Sequence, residues 1–273
     1  RVSPEGLVEP LADGSTIVTA RLGEAAASVA VTVSGLATPT PVSFETEVEA
    51  ILTKHSCNSG GCHGKAEGQN GFKLSLLGFD AAADHAAIVS QSRSRRVATS
   101  APETSLLLLK ATAGLPHGGG AKIAAGSPAA RRLLRWIAEG AEAGVPGDRP
   151  VVGLDVVPAE VVLAPGESRQ IRVGALDASG TRRCATRESD YASNAPAIVG
   201  VDGSGVLRAG TIPGDAAILV RHLGHVATVR VVVPRPGASV VRPPESGEID
   251  RLVHDRLAAL GIPSADVCDD ATF

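Results

Sequence analysis

The spacing of hydrophobic residues changes twice along the chain, and each change marks a predicted boundary. In residues 1–35, β-branched runs such as STIVTARL and SVAVTV lie between Gly and Pro positions, which predicts strands. Residues 150–235 show the same kind of short β-branched runs, separated by regular turn signals. Residues 43–146, between these two regions, have a helical spacing instead. We therefore predict a multidomain chain with an all-α domain held between two all-β units.

Three helices are predicted within the central region, at 43–57, 102–115 and 127–141. The first is amphipathic and leads directly into a pair of cysteines. The third has its apolar face around Trp136, the single tryptophan of the chain. Gly-rich loops join the three helices, so the domain is expected to be compact.

Residues 201–233 repeat the pattern of residues 2–33. Both read V-x-x-x-G-[VL], followed by a Gly, a β-run, Leu-Gly and a second β-run. Residues 1–35 are therefore predicted to be the C-terminal half of a β-domain whose complete copy is 150–235. After a Pro-containing linker, the apolar spacing of EIDRLVHDRLAALGI predicts a helix that begins a truncated domain at 247–273.

Charge and hydropathy argue against two broad classes of function. The 273 residues include 26 Lys and Arg against 29 Asp and Glu, for a net charge of −3. This balance gives no electrostatic case for binding nucleic acid, and the one basic run, RSRRV at 93–97, is short. No apolar stretch reaches the ~18 residues that a membrane span needs, so no span is predicted.

The sequence HSCNSGGCHG at 55–64 carries the most specific chemistry of the chain. Cys57 and Cys62 are separated by four residues, and His63 follows at once. Two thiols followed by an imidazole suit covalent haem attachment, although the usual spacing has two residues between the cysteines. A Cys57–Cys62 disulfide also fits this spacing. So does a zinc site made of Cys57, Cys62 and His63 with either His55 or His117, and the spacing alone leaves all three open.

The helical region resembles a known family at several motifs. The sequences SFETEVEAILTKHSCNSGGCHG, GFKLSLLGFD, PETSLLLLKATAGLPHGGG and SPAARRLLRWIAEGA resemble the planctomycete-type cytochrome c domain, in the variety with the longer cysteine loop. The resemblance implies an all-α class I cytochrome c-like fold, in which the first and last helices pack over the haem edge. It implies haem c, covalently attached through Cys57 and Cys62, with His63 as the proximal ligand of the iron.

The region 150–235 resembles the bacterial immunoglobulin-like domain of group 2. The resemblance lies in VVPAEVVLAPGESRQIRVGALDASG, DYASNAPAIVGVDGSGVLRA and GDAAILVRHLGHVATVRVVV. It implies a small β-sandwich that serves as a spacer or as an adhesive module for an extracellular glycan or protein partner. In the planctomycete family such domains commonly lie beside the cytochrome domain, and a large domain of unknown function begins much like residues 247–273. Both resemblances imply a periplasmic or cell-surface location.

The second axial ligand of such a haem is expected to be unusual. Cytochromes of this class often use Met, but the chain contains no Met. The loop before the third helix reads GLPHGGGAKIAAG, so His117 is the expected distal ligand and His85 is its rival. Five-coordinate iron is the remaining alternative. Bis-imidazole iron should have a lower reduction potential than Met/His iron, and Arg95 or Arg96 is expected to pair with the haem propionates.

These patterns together favour one function and leave an alternative. The favoured function is a covalent haem c electron-transfer or redox module in an exported protein, with a redox partner that the sequence does not identify and no catalytic residues of its own. The alternative is a non-redox extracellular adhesion or glycan-interaction protein, in which Cys57 and Cys62 form a disulfide or a zinc site.

Overall fold

The computed structural model describes residues 1–4, 6, 8–237, 240–265 and 268–272. The residues outside these ranges include Leu7 of the predicted repeat. They also include Asp266, Val267 and Phe273 of the predicted C-terminal segment. The chain divides into two compact units, Arg1–Pro41 and Val42–Phe273. Among the described residues, no helix combines the length and the apolar character that crossing a bilayer requires.

The first unit consists mainly of one β-hairpin. Its strands are β1 (Gly14–Leu22) and β2 (Ala25–Val33), which pair antiparallel over nine positions. Asp13 closes the open end of the hairpin by accepting hydrogen bonds of 3.0 Å from the backbone N–H groups of Gly35 and Leu36. Most side chains on both faces of these strands are exposed, so the unit contains a single layer of sheet.

The helical part of the second unit contains four short α-helices. A wide π-type turn at Phe44–Val48 continues into α1 (Glu49–Lys54), and Ser43 caps this turn by accepting from the Thr46 N–H at 3.3 Å. The remaining helices are α2 (Ala81–Val89), α3 (Leu106–Ala111) and α4 (Pro128–Ala138), with 3₁₀ turns at Leu76–Gly78 and Pro102–Thr104. Ser127 caps α4, its hydroxyl accepting from the Ala130 N–H at 3.2 Å.

Trp136 and Phe44 form the centre of the helical core. Both side chains are fully buried, and their ring centroids lie 5.4 Å apart. The indole of Trp136 donates a 2.8 Å hydrogen bond to the carbonyl of Glu142, which satisfies its one polar atom. Each large apolar side chain buried in this way contributes about 1.5–3 kcal/mol to folding. The turn before α1 is thereby fastened to α4.

A β-sandwich follows the helical part. Its strands are β3 (Val151–Val157), β4 (Glu160–Val162), β5 (Ser168–Gln170), β6 (Arg172–Asp177), β7 (Arg182–Cys184), β8 (Asp190–Ser193), β9 (Val199–Val201), β10 (Val206–Ala209), β11 (Gly214–His222) and β12 (His225–Val233). They form sheets of order β4-β12-β11-β8, β3-β6-β7 and β5-β10-β9. Alternate residues of β11 and β12, such as Ile218, Val220, Val229 and Val231, are fully buried in a core separate from that of the helices.

The internal repeat corresponds to two hairpins with the same register. Strand β1 pairs with β2 from Gly14–Val33 to Leu22–Ala25. Strand β11 pairs with β12 from Gly214–Val233 to His222–His225. The alternating apolar residues of the second hairpin face a buried core, whereas the equivalent residues of the first hairpin have no second layer within their unit.

Lys54, the last residue of α1, joins the helical part to the sandwich. Its ammonium donates to the carbonyls of Ser189, at 2.5 Å, and Gly203. It also lies 5.3 Å from the centroid of the Tyr191 ring. A final helix, α5 (Glu248–Leu260), contacts the end of β12 and terminates at Gly261 in the left-handed conformation.

The prediction of an all-α class I cytochrome c-like domain is wrong. The structure has four sheets, with 27 % of the chain in strands and 21 % in helices. The helices within residues 43–146 are short and joined by long loops. The predicted helix at 43–57 ends at Lys54, and the one at 102–115 is α-helical only over α3.

Backbone chemistry explains why the helical spacing did not extend into long helices. Ser56, Ala113 and Ala141 lie near the ends of the three predicted helices and adopt positive φ angles, of 58°, 57° and 57°, which interrupt a right-handed helix. Apolar periodicity therefore located the buried faces but overestimated the helix lengths.

Candidate functional site

A cavity of about 800 Å³ opens in the helical part and has the size of a cofactor pocket. Its walls come from the cysteine loop (residues 55–64), the segment 69–74, α3 and the distal loop (residues 112–123). Most of the lining is apolar. The apolar lining residues include Leu52, Phe72, Leu74, Leu106, Leu107, Leu115, Ile123 and Leu133.

The cysteine loop begins with a tight turn at the end of α1. The N–H of Cys57 donates to the Leu52 carbonyl at 2.8 Å, and that of Ser56 donates to Thr53 at 2.9 Å. Ser56 takes the left-handed conformation, as in the helix-ending motif that usually uses Gly. The N–H of His63 then donates to the Cys57 carbonyl at 3.0 Å, so the loop returns to its starting point.

Asn58 clamps the four-residue insert between the cysteines. The side chain is fully buried, and its amide donates at 2.8 Å to a carboxylate oxygen of Glu49 and to the Thr53 hydroxyl. Its backbone carbonyl accepts from the Leu77 N–H at 3.1 Å. A Cβ at Gly64 would lie 2.0 Å from the same carbonyl oxygen. The insert is therefore closely packed at Asn58, which the sequence did not indicate, whereas Gly60 and Gly61 are exposed.

Both cysteines line the cavity as free thiols. Burial, followed by the neighbouring Cys62, raises the pKa of Cys57 to about 12. The Cys57 sulfur is therefore a protonated thiol at neutral pH. It lies 3.9 Å from the carbonyl oxygen of His55, to which it can donate a weak hydrogen bond.

His63 lies on one wall of the cavity in a defined tautomer. Its Nδ1 is 3.0 Å from the carbonyl oxygen of Phe72, and its ring centroid is 4.5 Å from that of Phe72. Because a carbonyl only accepts, Nδ1 carries the proton and the lone pair of Nε2 stays available for a metal. Burial also lowers the pKa of His63, which favours the neutral ring that a metal requires.

His117 has the same arrangement in the distal loop. Its Nδ1 lies 2.8 Å from the carbonyl oxygen of Gly120, so its Nε2 lone pair is also available. The His63 and His117 ring centroids are 6.3 Å apart, and their planes differ by 9°. Two imidazoles bound on opposite sides of one metal, through bonds of about 2.0 Å, would have centroids about 6.2 Å apart. The measured centroid distance is therefore similar to this value, and the two rings are stacked with nearly parallel planes.

The zinc alternative finds no ligand set among the described residues. Within them, no three or more His, Cys, Asp or Glu side chains gather at a point that could hold a metal ion. Structural zinc sites use four such ligands. The structure instead brings together two imidazoles across an apolar cavity.

The other two histidines of the helical part lie elsewhere. His85 donates from Nε2 to the Ala141 carbonyl at 2.7 Å and packs against Phe44 and Trp136, with centroid distances of 5.2 and 6.2 Å. It does not line the cavity, so its position does not suit a rival distal ligand. His55 contacts the Lys122 carbonyl through Nδ1 at 2.9 Å.

Basic residues give the cavity a positive lining. Arg95, Arg96, Lys110 and Lys122 all line it, and no Asp or Glu does among the lining residues described. Arg96 is only 5 % exposed and lies 4.5 Å above the Phe72 ring. A buried guanidinium without a carboxylate partner favours an anionic ligand nearby.

The two arginines differ in how free they are to bind such a ligand. Arg96 donates to the carbonyls of Ala87 at 2.9 Å, Gln91 at 3.2 Å and Gly71 at 3.3 Å, and to the Ser92 hydroxyl at 3.0 Å. It therefore organises the backbone around the cavity. Arg95 is exposed and can reach a carboxylate at the cavity mouth.

A buried carboxyl pair behind the cysteine loop was missed by sequence reasoning. Glu49 and Asp84 are each 1 % exposed, and their carboxyl groups lie close enough to interact electrostatically. Burial, and then the Asp84 charge, raise the pKa of Glu49 to about 8. Asp84 accepts from the Ser75 N–H at 2.5 Å and hydroxyl at 2.6 Å. Glu49 therefore holds the proton of the pair at neutral pH, and its place beside the apolar residue Val48 was the available signal.

Comparisons with known proteins add little to these observations. No family model and no curated protein matches the chain. A solved structure, domains 5-6 of the S-layer protein SbsC, is 20 % identical with a TM-score of 0.29. The match covers 35 % of this chain and 49 % of that structure, so the chain spans about half of its length. The resemblances read from the sequence motifs therefore stay predictions.

Glu49 predicts a pH-dependent stability. Its pKa is about 8 in the folded chain against an ordinary value of 4.5, so its contribution is complete below pH 4.5 and is lost as the pH rises towards 8. The expected loss is about 1.4 kcal/mol per pH unit in that window. Urea unfolding at pH 5, 6.5 and 8 should show this slope in the wild type and a flatter profile in Glu49→Gln. The exposed residue Glu67 provides the control Glu67→Gln, and an unchanged slope in Glu49→Gln would contradict the assignment.

Gly64 and Gly61 form a matched pair within the cysteine loop. A Cβ at 64 would meet the Asn58 carbonyl, whereas a Cβ at 61 has no atom within 4 Å. Gly64→Ala should lower the free energy of unfolding by about 1–3 kcal/mol, and Gly61→Ala should leave it close to that of the wild type. Equal effects of the two substitutions in urea unfolding would show that the loop is not packed as described.

Proposed function

We propose that residues 43–146 bind haem c covalently and serve as an electron-transfer or redox module. The observation that carries the proposal is the pair of parallel imidazoles of His63 and His117, each with an available Nε2. They face one apolar cavity whose wall also carries the thiols of Cys57 and Cys62. The size, the apolar lining and the positive charge of this cavity all fit a flat, apolar group with carboxylate substituents.

Each residue has a distinct part in holding the group. Cys57 and Cys62 would form the thioether bonds, His63 would be the proximal axial ligand and His117 the distal one. When bound, the haem iron supplies a reversible one-electron centre. The Phe72 carbonyl orients His63 and increases the basicity of its Nε2, as hydrogen-bonded partners of metal-bound imidazoles do.

The remaining lining residues adjust the environment. Leu74, Leu107 and Ile123 exclude water from the cavity, and Arg95 would neutralise a carboxylate at its mouth. Bis-imidazole ligation should give a lower reduction potential than Met/His ligation. Both axial positions would be occupied by the chain, which suits electron transfer better than the binding of a small ligand.

The setting proposed for this module is periplasmic or at the cell surface. Covalent haem attachment and the β-sandwich of residues 150–235 both support a location outside the cytoplasm. The partner would be a one-electron donor or acceptor protein. The sandwich would act as a spacer or as a contact surface for an extracellular glycan or protein.

The alternative is a non-redox interaction protein stapled by a Cys57–Cys62 disulfide. The exposed hairpin and the sandwich, which occupy much of the chain, favour it. Intact mass separates the two functions. The full chain, expressed with a cytochrome maturation system, should gain the mass of one haem, and the double variant Cys57→Ala/Cys62→Ala should not. A product without haem that is lighter by the two thiol hydrogens would establish the disulfide.

His117→Ala tests the distal ligand. The wild type should be six-coordinate and low-spin in both oxidation states, because both imidazoles bind the iron. His117→Ala should become high-spin and should bind carbon monoxide readily when reduced. His254→Ala, on α5, is the control and should keep the wild-type spectrum. A low-spin spectrum in His117→Ala would show that another group is the distal ligand.

A further inference from the structure

His55 lies between the two loops that carry the candidate ligands. It follows α1 directly, two residues before Cys57, and its side chain is half-buried. Its Nδ1 lies 2.9 Å from the carbonyl oxygen of Lys122, which belongs to the distal loop. Since this carbonyl only accepts, His55 donates. Burial lowers the pKa of His55, so the ring is neutral at pH 7.

Among the described residues, the other hydrogen bonds of the distal loop go to α3 or stay within the loop, and Ile123 at its end is fully buried in the helical core. The N–H groups of Lys122 and Ile123 both donate to the Ala111 carbonyl, at 2.9 and 3.0 Å. The Lys110 ammonium donates to the Pro116 carbonyl at 2.5 Å. In the described part of the chain, the bond from His55 is the one hydrogen bond that connects residues 112–123 to the cysteine loop.

The His63–His117 separation depends on this connection. His63 belongs to the cysteine loop and His117 to the distal loop, so their 6.3 Å centroid distance reflects how the two loops are held together. A small shift of the distal loop would move His117 out of reach of an iron bound by His63. The Lys122 carbonyl lies only five residues beyond His117. The hydrogen bond from His55 to this carbonyl therefore limits how far His117 can move.

We propose that His55 is a positioning residue, which holds the distal loop at the distance at which His63 and His117 bind the same iron. The proposal rests on the haem c function proposed above and adds a residue that makes no contact with the group itself. A hydrogen bond of this kind contributes about 0.5–1.5 kcal/mol net. Its loss should therefore raise the population with an open distal site about fivefold.

His85 provides a matched control within the same helical part. It also makes one hydrogen bond from a ring nitrogen to a backbone carbonyl, that of Ala141 at 2.7 Å, but that carbonyl lies outside the cavity lining. A purely structural role for His55 would make His55→Ala and His85→Ala equivalent. Both would lower the stability, and neither would change the coordination of the iron.

The experiment compares the haem-loaded full chain carrying His55→Ala, His85→Ala or His55→Asn. Urea unfolding measures stability. Two further readouts report whether the distal site is open: the spin state of the ferric protein and the rate at which the ferrous protein binds carbon monoxide. His55→Ala should show a mixed-spin spectrum and about fivefold faster binding, whereas His85→Ala should keep wild-type values despite lower stability. His55→Asn, whose amide can donate to Lys122, should restore most of the low-spin fraction.

Each outcome decides between two explanations. A low-spin wild type with an unchanged His55→Ala spectrum and binding rate would overturn the positioning role and leave the haem function intact. An equal change in His85→Ala, or no recovery in His55→Asn, would also overturn it. A wild type that binds no low-spin haem would refute the proposed function, and the positioning role with it. If His55→Ala does not fold, His55→Phe fills the same space without a donor and takes its place.

Discussion

The buried amide of Asn58 holds the cysteine loop against α1, and the positions of Cys57, Cys62 and His63 depend on that contact. Both amide hydrogen bonds go to side chains of the helix, Glu49 and Thr53. An unsatisfied buried amide costs about 1–3 kcal/mol, so the loop has few alternatives to this conformation. Cys57 and His63 then lie at the two ends of a closed turn. The chain between the two cysteines is therefore held in place through Asn58 and is not a flexible linker.

Charge is distributed on two sides of this loop. The cavity side carries Arg95, Arg96 and two lysines without a carboxylate among the lining residues described. The opposite side carries Glu49 and Asp84, and burial together with the Asp84 charge raises the pKa of Glu49 to about 8, so that Glu49 is protonated at neutral pH. Because one of these carboxyl groups is neutral, little negative charge offsets the positive field in the cavity. An anionic group would enter this cavity with little electrostatic repulsion.

The sequence was informative wherever chemistry depended on residue type. The cysteine pair, the following His63, the absence of Met and the resemblance to the cytochrome family led to the prediction of His117, and the structure brings both imidazoles to one cavity; their binding of a haem iron stays a prediction. The helices predicted to begin at residues 43 and 127 also start there, with Ser43 and Ser127 as their caps. Helix lengths were not predictable, because apolar spacing does not show where Ser56 or Ala113 adopts a positive φ angle.

The roles of buried polar residues were equally out of reach of the sequence. Arg96 was expected to pair with a propionate, but its four acceptors are backbone carbonyls and a hydroxyl from three parts of the chain. His85 resembled a ligand only while its partner Ala141, far along the chain, was unknown. Such contacts form between segments that are distant in sequence, so local pattern carries no signal for them.

Lys54 gives the β-sandwich a mechanical relation to the candidate site. Its ammonium is held by the Ser189 and Gly203 carbonyls of the sandwich, and Cys57 lies three residues further along the chain. A force applied to the sandwich would therefore be transmitted to the end of α1 through Lys54, without extension of a flexible linker. Under shear or tension, the candidate site and the neighbouring sandwich would therefore move as one piece, and the position of the cysteine loop relative to the sandwich would stay constant.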